Sequence, residues 1–76
     1  MEELDLAQRF LNHEAIPGVR FEHDDYVLVV SGENAGKTGF LLTVLELQPE
    51  PKFVLELEES GADIEVLQSH LQHAAT

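Results

Sequence analysis

The sequence predicts a mainly β fold, a small antiparallel barrel with a docked N-terminal α-helix, and three observations carry that expectation. Tyr26-Val-Leu-Val-Val30 is dense in β-branched residues, Phe53-Val-Leu-Glu-Leu-Glu58 alternates apolar with acidic, and Asp63-Ile-Glu-Val66 alternates again. Turn chemistry separates these runs, with Gly32, Asn34 and Gly36 in one connection and Ser60-Gly61 in another. Short strands so closely punctuated suit a small barrel. The chain is read as a single domain, 1–76, able to bury only about 60% of its unfolded surface.

The elements follow in order. Leu4, Ala7, Phe10 and Leu11 recur at helical spacing among polar residues, and Pro17-Gly18 stops what precedes it, which predicts a helix over about 2–14. A helix that short must dock on the rest of the chain to persist. The barrel is expected over about 19–71. Val19-Arg-Phe-Glu22 reads as a short strand or an extended arm, and Glu22-His-Asp-Asp25 as a polar turn. A strand over Tyr26–Val30 leads into the turn at Ser31–Lys37. Thr38–Leu47 is ambiguous by periodicity alone, as short apolar runs are, and the barrel requires it to be a strand. After a loop at Gln48–Lys52, Phe53, Leu55 and Leu57 face inward, with Val54, Glu56 and Glu58 opposite. Ile64 and Val66 are inward on the next strand, with Glu65 on the solvent side, whereas 66–73 fits a strand or a helical turn equally.

Charge is the strongest compositional fact. Fifteen acids oppose four bases, for a net charge of −11. Seven acids lie in residues 1–25 and seven in 46–76, whereas 26–45 carries only Glu33 and Lys37, so the centre reads as buried and the flanks as solvated. Backbone binding to nucleic acid draws on Lys and Arg, and only Arg9, Arg20, Lys37 and Lys52 are present, which disfavours nucleic acids and anionic membranes as partners. Such acidity serves solubility or forms a face for a basic protein. With no cysteine, disulfides and thiolate metal sites are excluded. Met1-Glu-Glu-Leu-Asp5 lacks the layout of a signal peptide, and no apolar run is long enough to span a bilayer. The expectation is a cytoplasmic protein.

The run Ser31-Gly-Glu-Asn-Ala-Gly-Lys-Thr-Gly39 admits two readings. Gly36-Lys37-Thr38 matches the second half of a phosphate-binding loop, but Ser31 stands where the first glycine belongs, and only 37 residues follow Gly39 for the strand-and-helix sheet such a loop requires. The second reading covers more of the chain. Asp25-Tyr-Val-Leu-Val-Val-Ser-Gly32, then Gly36-Lys-Thr-Gly39 and the apolar run beyond, resembles the KOW motifs of NusG-type elongation factors and some large-subunit ribosomal proteins. The resemblance spans about 24–47, with Gly32, Gly36, Lys37 and Gly39 as its turn, and Phe53–Leu71 fits the remaining strands of the Src-homology-3-like (SH3-like) barrel that houses the motif. It implies a binding module without catalytic residues. This chain departs from the nucleic-acid-binding members in carrying almost no basic residues around the motif.

The other candidates are weaker. His13 and His23 lie near Glu14, Glu22, Asp24 and Asp25, but their spacing matches no zinc signature; His70 and His73 share a face only if that segment is helical. Ser31, Ser60 and Ser69 lack a nucleophile-elbow setting. Glu56 and Glu58 point the same way on a strand, yet an acid–base pair needs a deep cleft that a chain of this size hardly affords. The reading is therefore a non-catalytic acidic protein-interaction module for a partner of basic or mixed surface, without cofactor or metal, whose partner surface centres on Glu56, Glu58 and Glu65. An RNA- or ribosome-associated KOW protein is the alternative, and a nucleotide-binding protein using 31–38 the third.

Overall fold

The computed structural model describes residues 5–74. One α-helix, α1 (Leu6–Leu11), precedes five strands: β1 (Tyr26–Val29), β2 (Thr38–Glu46), β3 (Lys52–Leu57), β4 (Asp63–Leu67) and β5 (Leu71–His73). All pairings are antiparallel, in the order β4-β3-β2-β1-β5. The mainly β expectation therefore holds as an open five-stranded sheet with one short helix.

The helix is shorter than the 2–14 expected from periodicity, for reasons of capping. Asp5 has extended backbone and its carboxylate accepts the Gln8 N–H at 2.8 Å, so Asp5 is the N-cap and the first turn begins after it. The far end closes as a Schellman motif: the Glu14 N–H donates to the Arg9 carbonyl and the His13 N–H to the Phe10 carbonyl, each at 3.0 Å. His13, at φ 59°, takes the left-handed position that glycine usually fills. Leu4, part of the expected stripe, lies outside the described residues. Val19–Glu22 is an extended arm and not a strand, and Glu22–Asp25 is the polar turn, its Glu22 N–H bound to the Asp25 carboxylate at 2.8 Å.

β2 is a strand throughout, as the barrel reading required, but not a regular one. Its register with β3 shifts between Leu41 and Thr43 and again between Val44 and Glu46. Extra residues of this kind bend a strand and increase its twist. One face of the sheet carries Val27, Val29, Leu41, Val44, Phe53, Leu55, Leu57 and Val66, all buried. Phe10 from α1 and Phe21 from the arm close over Phe53, with ring centroids 5.6 and 5.8 Å away. The segment over 66–73, which the sequence left open, is both things in turn: a 3₁₀ turn at Gln68–His70, then β5. Gln68 is a buried polar residue that sequence reasoning passed over. Its side-chain carbonyl accepts the Arg20 N–H at 2.9 Å and its amide donates to the Gly18 carbonyl at 3.0 Å, so one side chain pins the arm to the sheet.

Candidate functional site

The solvent side of the sheet is built by strand alternation. Tyr26 on β1 lies directly opposite Phe40 on β2, Phe40 opposite Glu56 on β3, and Glu56 opposite Asp63 on β4. An aromatic pair and two carboxylates thus form one row across four strands. Direct cross-strand neighbours on one face have Cβ atoms about 4.5–5.5 Å apart, so adjacent members of the row are within reach of one another. The Tyr26 and Phe40 ring centroids are 5.0 Å apart, and Phe40 is 37% exposed. Periodicity assigned Phe40 to the apolar run of β2 without giving it a face; the exposed aromatic row escaped sequence reasoning because register between strands is not readable from one strand at a time.

The three acids expected to form the partner surface all lie on the solvent side, but in different states. Glu58 is engaged internally: its Oε1 accepts the Tyr26 hydroxyl at 2.6 Å and the Thr38 hydroxyl at 2.7 Å. These bonds, Tyr26 first, hold the Glu58 carboxyl below the usual carboxylate range. Glu65 shares Lys52 with Glu46, at 3.9 and 3.1 Å. The hydrogen bond and charge of Glu46 raise the Lys52 ammonium above its ordinary value, with Glu65 adding a smaller push in the same direction. Glu56 is exposed and has no ion-pair partner among the described residues, and the same is true of Asp63, which the sequence reading did not single out.

A depressed carboxyl makes a pH prediction. Because the folded-state pKa of Glu58 lies below its unfolded value of about 4.3, its contribution to stability is full above that value and is lost as pH falls through the folded one. Tyr26→Phe removes the largest cause. Carbon-detected NMR of Glu58 should show its titration midpoint rise in Tyr26→Phe, and the gap in melting temperature between the two proteins should narrow as pH drops below about 4. An unmoved midpoint would assign the shift to another cause.

The residues of the glycine turn are together, but not as a phosphate cradle. Gly32 and Gly36 have φ of +88° and +95°, in the left-handed region the turn demands. The backbone N–H groups of Ala35, Gly36 and Lys37 donate to the carbonyls of Gly32, Val29 and Asn34 at 3.2, 2.8 and 3.2 Å. A phosphate loop needs such groups pointing at its ligand, and it needs a helix after Lys-Thr, whereas here Thr38 opens β2. The Lys37 ammonium lies 3.5 Å from Glu59. Gly39 is buried and its backbone lies close against β3.

The cations form no patch. Arg9 pairs with Glu14 at 3.9 Å, Lys37 with Glu59, Lys52 with Glu46, and the Arg20 guanidinium sits 5.8 Å from the Phe21 ring centre. The histidines are likewise dispersed onto carboxylates: His13 on Glu22 and His73 on Asp25, each at 3.1 Å, and His23 on Asp24 at 3.6 Å. His70 ends the 3₁₀ turn beneath Gly32 while His73 lies on β5, so the two do not share a helical face. Among the described residues no group of three or more His, Asp or Glu is arranged to hold a metal ion, and no helix is long and apolar enough to cross a membrane. No family model, curated protein or solved structure matches the chain.

Proposed function

We propose that this chain is a non-catalytic interaction module of the SH3-like barrel type, and that the solvent side of β2–β4 receives a basic protein surface. The observation that carries the function is the outer row itself. Glu56 and Asp63 lie opposite one another across β3 and β4, and neither has a cationic partner among the described residues. Like charges directly opposite one another on a sheet are destabilising, and a basic partner would relieve that repulsion while the net charge of −11 steers it inward. The barrel reading has separate support. β2 carries two bulges that let one sheet curl, and Val29 of β1 lines the same depression as Glu65, Val66 and Leu67 of β4, although two strands separate them in the sheet.

The test is charge reversal read by a blocked octalysine peptide. Glu56→Lys with Asp63→Lys should weaken the peptide about fivefold or more, as expected from losing two exposed ion pairs, and the loss should shrink as salt rises. A control pair, Glu14→Lys with Glu33→Lys, makes the same change in net charge away from the row and should move affinity less than about twofold. Equal weakening by both pairs would leave acidity as a general property of the surface. Glu58 is not part of the reversal. Its bonds to Tyr26 and Thr38 mean that Glu58→Lys destabilises, whereas Glu56→Lys is neutral or slightly stabilising.

A further inference from the structure

We infer that the Tyr26–Phe40 pair is an anchor for an arginine side chain of the partner, with Glu56 and Asp63 taking its guanidinium edge; this rests on the basic-partner reading above and narrows it to one side chain. An exposed aromatic face at the centre of a sheet, bordered on one side by two unpaired carboxylates, asks for a group that is flat, cationic and a multiple donor. A guanidinium laid on the Phe40 ring gains from the ring's negative face, and its N–H edge reaches the carboxylate of the next strand, Glu56. An ammonium is a compact point charge and cannot stack and fork at once.

Three features hold the anchor ready. The Tyr26 hydroxyl is fixed on Glu58, which orients the ring that supports Phe40. Thr38, flanking the row on β2, is bound to the same oxygen, so the row does not need to rearrange. The four lysines and arginines are occupied elsewhere, Lys52 on Glu46 and Glu65, Lys37 on Glu59, Arg9 on Glu14 and Arg20 against Phe21, so none of these four covers Phe40.

The chain supplies its own probe, since Tyr26 is the only tyrosine and there is no tryptophan. Intrinsic tyrosine emission therefore reports on the anchor directly. Two blocked peptides of equal charge, Ala-Arg-Ala-Arg-Ala and Ala-Lys-Ala-Lys-Ala, are titrated against the wild type, Phe40→Leu, and the Glu56→Lys/Asp63→Lys pair, each confirmed as folded by its melting curve. The arginine peptide should bind about three- to tenfold tighter than the lysine peptide. Phe40→Leu should erase that preference and leave the lysine peptide within about twofold of wild type. Equal binding of the two peptides, with both weakened by the charge reversal, overturns the anchor and leaves the acidic partner surface standing. A preference that survives Phe40→Leu also overturns it. Binding of neither peptide removes both readings. Self-association of the wild type that Phe40→Leu abolishes would make the occupant a second copy and overturn the proposal as stated.

Discussion

Phe53→Ala should remove most of the stability of this protein, whereas Phe40→Ala, on the neighbouring strand, should leave the fold intact. Phe53 is fully buried, paired across strands with Val44 and Val66, and covered by the rings of Phe10 and Phe21. The helix, the arm and the sheet therefore all meet at this side chain. Truncating a buried phenylalanine costs about 3–5 kcal/mol, against a total of roughly 4–11 kcal/mol for a domain of this length. A loss of 3 kcal/mol lowers the melting temperature by about 12–24 °C at this size. The cavity cannot be filled by collapse from one side, because its three walls belong to three separate elements. Phe40 is 37% exposed, with its ring against Tyr26 on the solvent side of the sheet, and its truncation costs about 1 kcal/mol or less. Thermal melts of the two variants decide the matter, and comparable shifts would mean that the arm and helix do not close over Phe53 in solution.

The contrast between these two phenylalanines also measures what a sequence can carry. Alternation is a local property, and Phe53, Leu55 and Leu57 were legible as a buried face because acids stand between them. Phe40 has apolar residues after it and glycine before it, so nothing local says which way it points. Its neighbours Tyr26 and Glu56 lie 14 and 16 positions away, and their juxtaposition is a matter of register. The acids were legible by type and by side of the strand. Their partners were not, since Tyr26 and Thr38 reach Glu58 from different strands and Lys52 divides itself between Glu46 and Glu65. Helix length was misread for a similar reason. The apolar stripe gives a period but not an end, and the ends come from Asp5 acting through its side chain and His13 adopting a conformation that its residue type disfavours. Gln68 looked like an ordinary polar residue because its two partners, Arg20 and Gly18, are about fifty residues away.

Gly39→Ala should be the most damaging substitution at any glycine of the turn region, and the cause is space and not conformation. Gly39 lies in β2 without the positive φ of the turn glycines, between Val27 of β1 and Leu57 of β3. A Cβ built there collides with the Glu56 carbonyl and also crowds the Leu55 side chain, at 3.1 Å. A flexible side chain could swing away, but a carbonyl in a paired strand cannot, so β3 would have to move off β2. That displacement strains the bond from the Glu58 N–H to the Thr38 carbonyl, 2.9 Å long, and shifts Glu56 relative to Phe40. Forcing one methyl into a full interior costs about 1–3 kcal/mol and occasionally more; with a backbone atom as the obstacle, the upper end is expected. Gly36→Ala is the informative comparison. At φ +95° it has open space around it and meets only the left-handed penalty of about 1–2 kcal/mol. Asparagine tolerates that region, so Gly36→Asn should recover part of the loss, whereas Gly39→Asn should be worse than Gly39→Ala because it adds volume. Denaturant midpoints for the four variants give the two orders directly. Should Gly39→Ala prove milder than Gly36→Ala, the close approach of β2 to β3 is not maintained in solution, and the register that aligns Phe40 with Glu56 would have to be drawn again.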